Sequence, residues 1–221
     1  MKKIFRISVF IFRILLLAIS ILWISNNSAN AQSVPESKIQ QVQIQIDADS
    51  SELKINGTTN VNTFTCAYRG ELPVERFKIN VIPSDTSKIL RGARLKLKVA
   101  AFDCGKTRMN NDFYELLQYE DNPYIYLDVA EIWKNVNEKK SQNGADYHTQ
   151  TIFTIAGNTK KYQVDVVSSN NPPVTAGGEH ELDITDFGLT PPKKILGMIK
   201  VDKMITIKFK LNIVVDTQPE S

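Results

Sequence analysis

Apolar and polar residues alternate with period two along most of this chain. That repeat turns one face of an extended strand to a core and the other to water. Val42, Ile44 and Ile46 alternate with Gln43, Gln45 and Asp47, and Leu53 and Ile55 then lead to Asn56-Gly57, a dipeptide that favours a tight hairpin turn. Phe64, Cys66 and Tyr68 share a face on the next strand, as do Phe77, Ile79 and Val81 on the one after. Leu95, Leu97 and Val99 alternate with lysines, after which Ala100-Ala101 shifts the apolar set to Phe102 and Cys104, which suggests a bulge. Ile125, Leu127 and Val129 form a further strand that ends near Trp133. A polar loop with Asn143-Gly144 then leads into Tyr147–Ile155, with Thr151, Phe153 and Ile155 inward. Tyr162, Val164 and Val166 follow, then a short strand at Leu182 and Ile184. Ile205 to Ile213 make a long last strand, with Lys208, Lys210 and Asn212 facing water. About eight or nine strands with turn signals between them predict an all-β sandwich or closed barrel.

Three segments break the repeat. Met109–Tyr119 carries Phe113, Leu116 and Leu117 at i, i+3 and i+4, which predicts a short amphipathic helix capped by Asn110 or Asn111. Ser168–His180, rich in Gly and Pro, reads as a flexible loop. Thr185–Lys203 holds two prolines but also Phe187, Leu189, Ile195, Leu196, Met198 and Ile199. A connection that apolar is expected to fold back as a lid or plug.

The N-terminus changes the picture of where the chain works. Lys2, Lys3 and Arg6 precede the apolar run Ile14–Ile24, and Ala29-Asn30-Ala31 follows, the three parts of a cleavable secretory signal. Arg13 interrupts the longer run that an uncleaved anchor would need. The expected organisation is a signal over 1–31, a tail over 32–40, one barrel domain over 41–215 and a tail over 216–221, with the mature chain in the periplasm. Residues 1–31 hold four basic and no acidic residues, so 23 basic and 24 acidic remain. A near-neutral mature chain with no basic cluster argues against a nucleic-acid partner. No later stretch is apolar enough to span a membrane. Nothing in the pattern speaks to oligomeric state. The two cysteines, Cys66 and Cys104, both lie in the exported part, where a disulfide is expected.

Candidate chemistry is sparse. His148 and His180 stand in different segments, with no cysteine or carboxylate at metal-ligand spacing, and both read as solvated. No nucleophile elbow, phosphate-cradling glycine loop or C-x-x-C occurs. The expectation is a non-enzyme without metal or cofactor, whose barrel is either packed shut or holds an apolar ligand.

Several stretches resemble the YceI-like family: Gly57–Cys66, Met109–Tyr114 before Asn122–Ile125, Thr151–Lys160, and Ile184–Leu211 with its Asp186-Phe187-Gly188-Leu189. The resemblance implies a lipocalin-like antiparallel barrel that binds an isoprenoid lipid or isoprenoid quinone along its interior, with the helix and long loops near its mouth. The two cysteines and the Pro191–Lys194 insertion depart from simpler members. Phe64, Phe102, Phe113, Leu117, Leu127, Phe153, Val164, Phe187 and Phe209 are the expected cavity-lining residues. The competing expectation is an envelope scaffold with a filled barrel whose loops bind a protein partner.

Overall fold

A computed structural model of the chain describes residues 39–72, 77–84, 86–135, 146–169, 174–194 and 198–216. The expected signal and the Asn143-Gly144 loop lie outside the described residues.

The strands are β1 (Gln40–Thr59), β2 (Thr63–Tyr68), β3 (Phe77–Pro83), β4 (Ser87–Arg91), β5 (Arg94–Lys98) and β6 (Phe102–Asp103). After helix α1 (Thr107–Leu116) come β7 (Tyr124–Lys134), β8 (Tyr147–Ile155), β9 (Asn158–Ser169), β10 (Val174–Asp183), β11 (Lys193–Lys194) and β12 (Ile199–Asp216). Eight of them close a ring in the order β1-β3-β4-β7-β8-β9-β10-β12, with β12 returning to β1. Every pairing is antiparallel. Closure removes the unpaired edges that an open sheet would expose. The remaining short strands branch off: β2 from β1, β6 from β2, β5 from β7 and β11 from β12.

Strand β1 runs the length of the barrel and gives it two distinguishable ends. Its residues Gln40–Ile44 pair with β3, whereas Lys54–Thr58 pair with β2. The second of these is the disulfide end, because Cys66 on β2 is bonded to Cys104 just after β6. Helix α1 follows directly and turns Phe113, Leu116 and Leu117 onto the core. The other is the aliphatic end, where Ile44, Ile79 and Ile132 point inward.

Several local expectations are corrected. Asn56-Gly57 is not a turn; both residues lie inside β1, and the chain reverses at residues 60–62. A Cβ at Gly57 would overlap the Phe64 ring, so the glycine serves close approach within a strand. Ala100-Ala101 belongs to a 3₁₀ turn, Val99–Ala101, rather than a bulge. Lys106, not an asparagine, precedes helix α1; Asn110 lies within it, where its Oδ1 accepts from the Cys104 amide at 2.7 Å. Residues 174–180 of the expected loop are strand β10, and Ile184 opens a 3₁₀ turn, Ile184–Phe187, instead of ending a strand. Gln40 and Asp216, assigned to the tails, are strand residues. Asn212 is buried rather than wet: the β1–β12 register shifts between Asp47 and Glu52, and the Asn212 amide donates to the Ser50 carbonyl at 2.7 Å.

Candidate ligand cavity

Each ring strand turns alternate side chains inward, and the two ends fill the interior differently. At the disulfide end Phe102 and Phe187 are each 1% exposed, with Leu97, Leu182 and Val99 beside them. Phe102 packs between the rings of Tyr68 and Phe113, with centroids 5.0 and 5.4 Å away. From the other side the 3₁₀ turn Ile184–Phe187 enters as a plug, its Ile184, Phe187 and the following Leu189 all buried.

Polar contacts fix that plug. Asp183 accepts from the Thr185 amide and hydroxyl at 2.9 and 2.6 Å and from Lys203 Nζ at 2.7 Å. Those donors hold its carboxyl down at about 2. Asn158 Nδ2 donates to the Phe187 carbonyl at 2.8 Å, and the Tyr162 hydroxyl donates to Asp186 at 2.7 Å. Burial, followed by Asp186, raises the Tyr162 phenol above its ordinary range.

Toward the aliphatic end the wall changes to Ile, Leu and Val, and a cavity of about 270 Å³ opens. Ile44, Ile46, Leu90, Val129, Leu211 and Ile213 contribute to its wall. A second cavity of about 70 Å³ lies toward the plug, and the two share Leu53, Leu127, Phe153 and Ile207, which form a waist between them. The second cavity in turn shares Phe64, Phe113, Leu116 and Val201 with a surface groove of about 410 Å³ beside helix α1. The three spaces therefore follow one another through the barrel. Polar side chains on the wall of the larger cavity are few: Thr149, Thr151, His180 and Arg94. The Arg94 guanidinium is already engaged by Asp128 at 2.6 and 2.9 Å. The Thr149 hydroxyl lies 3.0 Å from that of Thr151 and donates to the Val164 carbonyl at 3.3 Å.

The structure places the residues singled out from sequence along this series. Val164 and Phe209 line the larger cavity, and Leu127 and Phe153 stand at the waist. Phe102, Leu117 and Phe187 line the smaller cavity, and Phe64 and Phe113 stand between it and the groove. The connection expected to close a mouth packs Phe187 and Leu189 into the disulfide end, away from the larger cavity. Its later part forms the β11–β12 hairpin, where Met198 is 64% exposed instead of folded back. Ile195 and Leu196 lie outside the described residues.

Neither histidine is simply solvated. His148 Nδ1 meets Asp165 at 2.7 Å, and its ring packs on Trp133. His180 faces inward from β10 against Phe153 and Tyr162, at centroid distances of 5.9 and 5.1 Å. The sequence hid it because β10 carries small residues where other strands carry large ones. Yet Ala176, Gly178, His180 and Leu182 keep period two with the buried Leu182, and that was the available signal. A Cβ on Gly178 would meet the Asp165 carbonyl at 2.5 Å, and the Phe209 ring covers the space instead. Among the described residues no group of three His, Cys, Asp or Glu could hold a metal ion, and no helix is long and apolar enough to cross a membrane.

Comparison with known proteins places this geometry. The family model of the YceI-like domain matches residues 44–213. Among solved structures, BcnA of Burkholderia cenocepacia is similar at 17% identity and a TM-score of 0.58, over 77% of this chain and 99% of that one. A polyisoprenoid binding domain from Saccharophagus degradans, implicated in plant cell wall breakdown, is similar at 8% identity and a TM-score of 0.52, over 79% of this chain and 98% of that one. At these identities the likeness is one of fold. No curated protein matches the chain.

Proposed function

This chain belongs to the YceI-like domain family, and from that premise we propose that it is an exported, non-enzymatic binding protein. In this reading it holds one apolar, chain-like lipid of isoprenoid type inside the barrel, for carriage, storage or scavenging in the periplasm. One observation carries the reading: a cavity walled almost entirely by apolar side chains abuts a second apolar space across Leu53, Leu127, Phe153 and Ile207. A filled scaffold would need no such series. Apolar burial contributes about 0.8 kcal/mol per CH₂, so a prenyl chain gains affinity from the wall alone. The larger cavity sits just below the roughly 300–1,000 Å³ usual for small-molecule sites, which suits a slender chain better than a bulky ring system. The polyisoprenoid binding named for the Saccharophagus degradans domain, which shares this fold, points the same way. The basic, apolar and small-residue pattern of residues 1–31 supports export.

The test is gentle organic extraction of the purified protein with mass spectrometry of the extract, beside uptake of an isoprenoid quinone. Wild type should yield or take up such a lipid. Phe153→Asp, which puts an unpaired charge at the waist, should abolish uptake, with circular dichroism to verify that the barrel stands. Lys208→Asp, on the outer surface beside Glu179, should leave uptake intact. Wild-type protein that repeatedly releases no lipid and takes up no quinone would overturn the reading in favour of the scaffold.

A further inference from the structure

His180 is the group that a purely apolar ligand leaves without a purpose. A wall built only to bind hydrocarbon would carry an aliphatic residue at this inward position of β10, as it does at Ile207, the cross-strand partner on β12. The imidazole instead stands at the inner end of the larger cavity, beside the waist residue Phe153. Its Nε2 is shut off from solvent and has no hydrogen-bond partner among the described residues. Buried polar atoms in folded proteins are nearly always paired, so one left unpaired on a residue that lines a cavity calls for a function. The neighbouring polar groups do not supply the partner: Thr149 and Thr151 bond to each other, Thr149 also donates to the Val164 carbonyl, and Arg94 is taken by Asp128.

The chemistry of the missing partner can be narrowed. Burial pushes the His180 imidazole below its ordinary pKa, against a weaker opposing pull from Asp165 and Glu181, so the ring is neutral at neutral pH. A neutral imidazole offers one N–H donor and one acceptor nitrogen. A hydroxyl can satisfy either, and a carbonyl can accept from the N–H. A phosphate or diphosphate would bring uncompensated charge into an aliphatic chamber with no free cation on its described wall. From Ile207, beside His180, to Ile213 the wall extends six residues along β12, about 20 Å of strand. That is room for a short run of prenyl units reaching from the waist to the aliphatic end.

We propose that His180 is a specificity residue that anchors an uncharged oxygen headgroup, a hydroxyl or a quinone-type carbonyl, at the waist of the barrel, with the apolar tail running to the aliphatic end. This rests on the lipid-binding reading above and adds the class of head to the class of tail. The experiment is competition against a fluorescent apolar probe, using farnesol, a short-tailed prenyl quinone, farnesyl diphosphate and the headless hydrocarbon farnesene. In His180→Phe, affinity for farnesol and for the quinone should each fall about tenfold, the scale of one buried hydrogen bond. Farnesene affinity should hold, and His180→Gln should restore part of the farnesol affinity. Farnesyl diphosphate, whose charges cannot follow a hydroxyl to the waist, should bind His180→Phe and wild type alike. In wild type, the imidazole ¹⁵N resonances should shift with farnesol and stay put with farnesene, a readout that does not depend on any variant folding. Loss of the quinone but not of farnesol would assign the carbonyl, and the reverse the hydroxyl; either supports the anchor. Unchanged farnesol and quinone affinities in His180→Phe, or equal weakening of farnesol and farnesene, would overturn it and leave the lipid-binding reading standing. If none of the four displaces the probe from wild type, the lipid-binding reading itself falls.

Discussion

The two ends of this barrel share the same strands yet are built for opposite purposes. At the disulfide end, Phe102 packs between Tyr68 and Phe113, Phe187 packs against Tyr162, a covalent bond ties β2 to the segment after β6, and only about 70 Å³ stays open. At the aliphatic end the inward positions of the same β1, β8, β9 and β12 are Ile44, Thr149, Val166 and Ile213, and about 270 Å³ stays open. Branched aliphatic side chains line most of the open wall, whereas the aromatic rings of the other end pack on one another. Under the proposed reading, one closed sheet puts its stability at one end and its ligand capacity at the other.

The largest expected effect comes from removing one of the two fully buried rings of the plugged end. Phe187→Ala should destabilise the protein by about 3–5 kcal/mol, the range for truncating a buried aromatic side chain. Ile132→Ala, on the wall of the larger cavity, should cost below about 2 kcal/mol, because that side chain already borders open space and loses fewer contacts. Chemical denaturation of both variants checks the contrast. Equal losses would mean that the open end is as tightly packed as the plugged one.

The Cys66–Cys104 bond should come next. Replacing both cysteines with alanine, or reducing the bond, should remove about 3–4 kcal/mol in the chain-entropy account of a 38-residue separation. Thiol labelling of the denatured, unreduced protein should find no free thiol. Uptake of lipid by the folded variant should persist, since neither cysteine lines the two inner cavities. If uptake vanished while the barrel stayed folded, stability and capacity would not be separate.

Much of this was legible in the sequence, and unevenly so. Strands with large inward residues, such as Tyr147–Ile155 with Phe153 and Ile155, announced themselves by period two. In strand β1 the alternation breaks between Ile46 and Leu53 because the register shift between Asp47 and Glu52 changes which positions face inward. The Asn56-Gly57 turn signal was real local chemistry overridden by a tertiary contact, the Phe64 ring on Gly57. Strand β10 was lost for a related reason: its inward Gly178 leaves room for the Phe209 ring, and so it carries no apolar signal of its own. The candidate site divides the same way. Aromatic wall residues could be named from alternation, while His180, on the strand that read as a loop, needed the fold to place it.

The smallest expected effect concerns the pin that seats the plug. Asp183 receives the Thr185 amide and hydroxyl and the Lys203 ammonium, and these donors depress its carboxyl from 3.8 to about 2. A carboxyl whose pKa is lower folded than unfolded binds protons more readily in the unfolded chain. Its contribution is therefore fully present above about pH 4 and lost as the pH falls toward 2. Because the group is partly exposed to solvent, the effect should be modest and weakened by salt. It should also be local. Between pH 4 and 2, with rates corrected for the intrinsic pH dependence of amide exchange, backbone amides of the 3₁₀ turn at residues 184–187 and of Leu189 should lose protection in wild type, approaching that of Asp183→Asn, while amides of β8 around Thr149 keep theirs. The variant should show the faster exchange already at pH 5 and should not change further on this account. Wild type and Asp183→Asn exchanging at the same rate at pH 5 would show that the plug is seated by Phe187 and Leu189 packing alone, and that the disulfide end owes nothing to its charged collar.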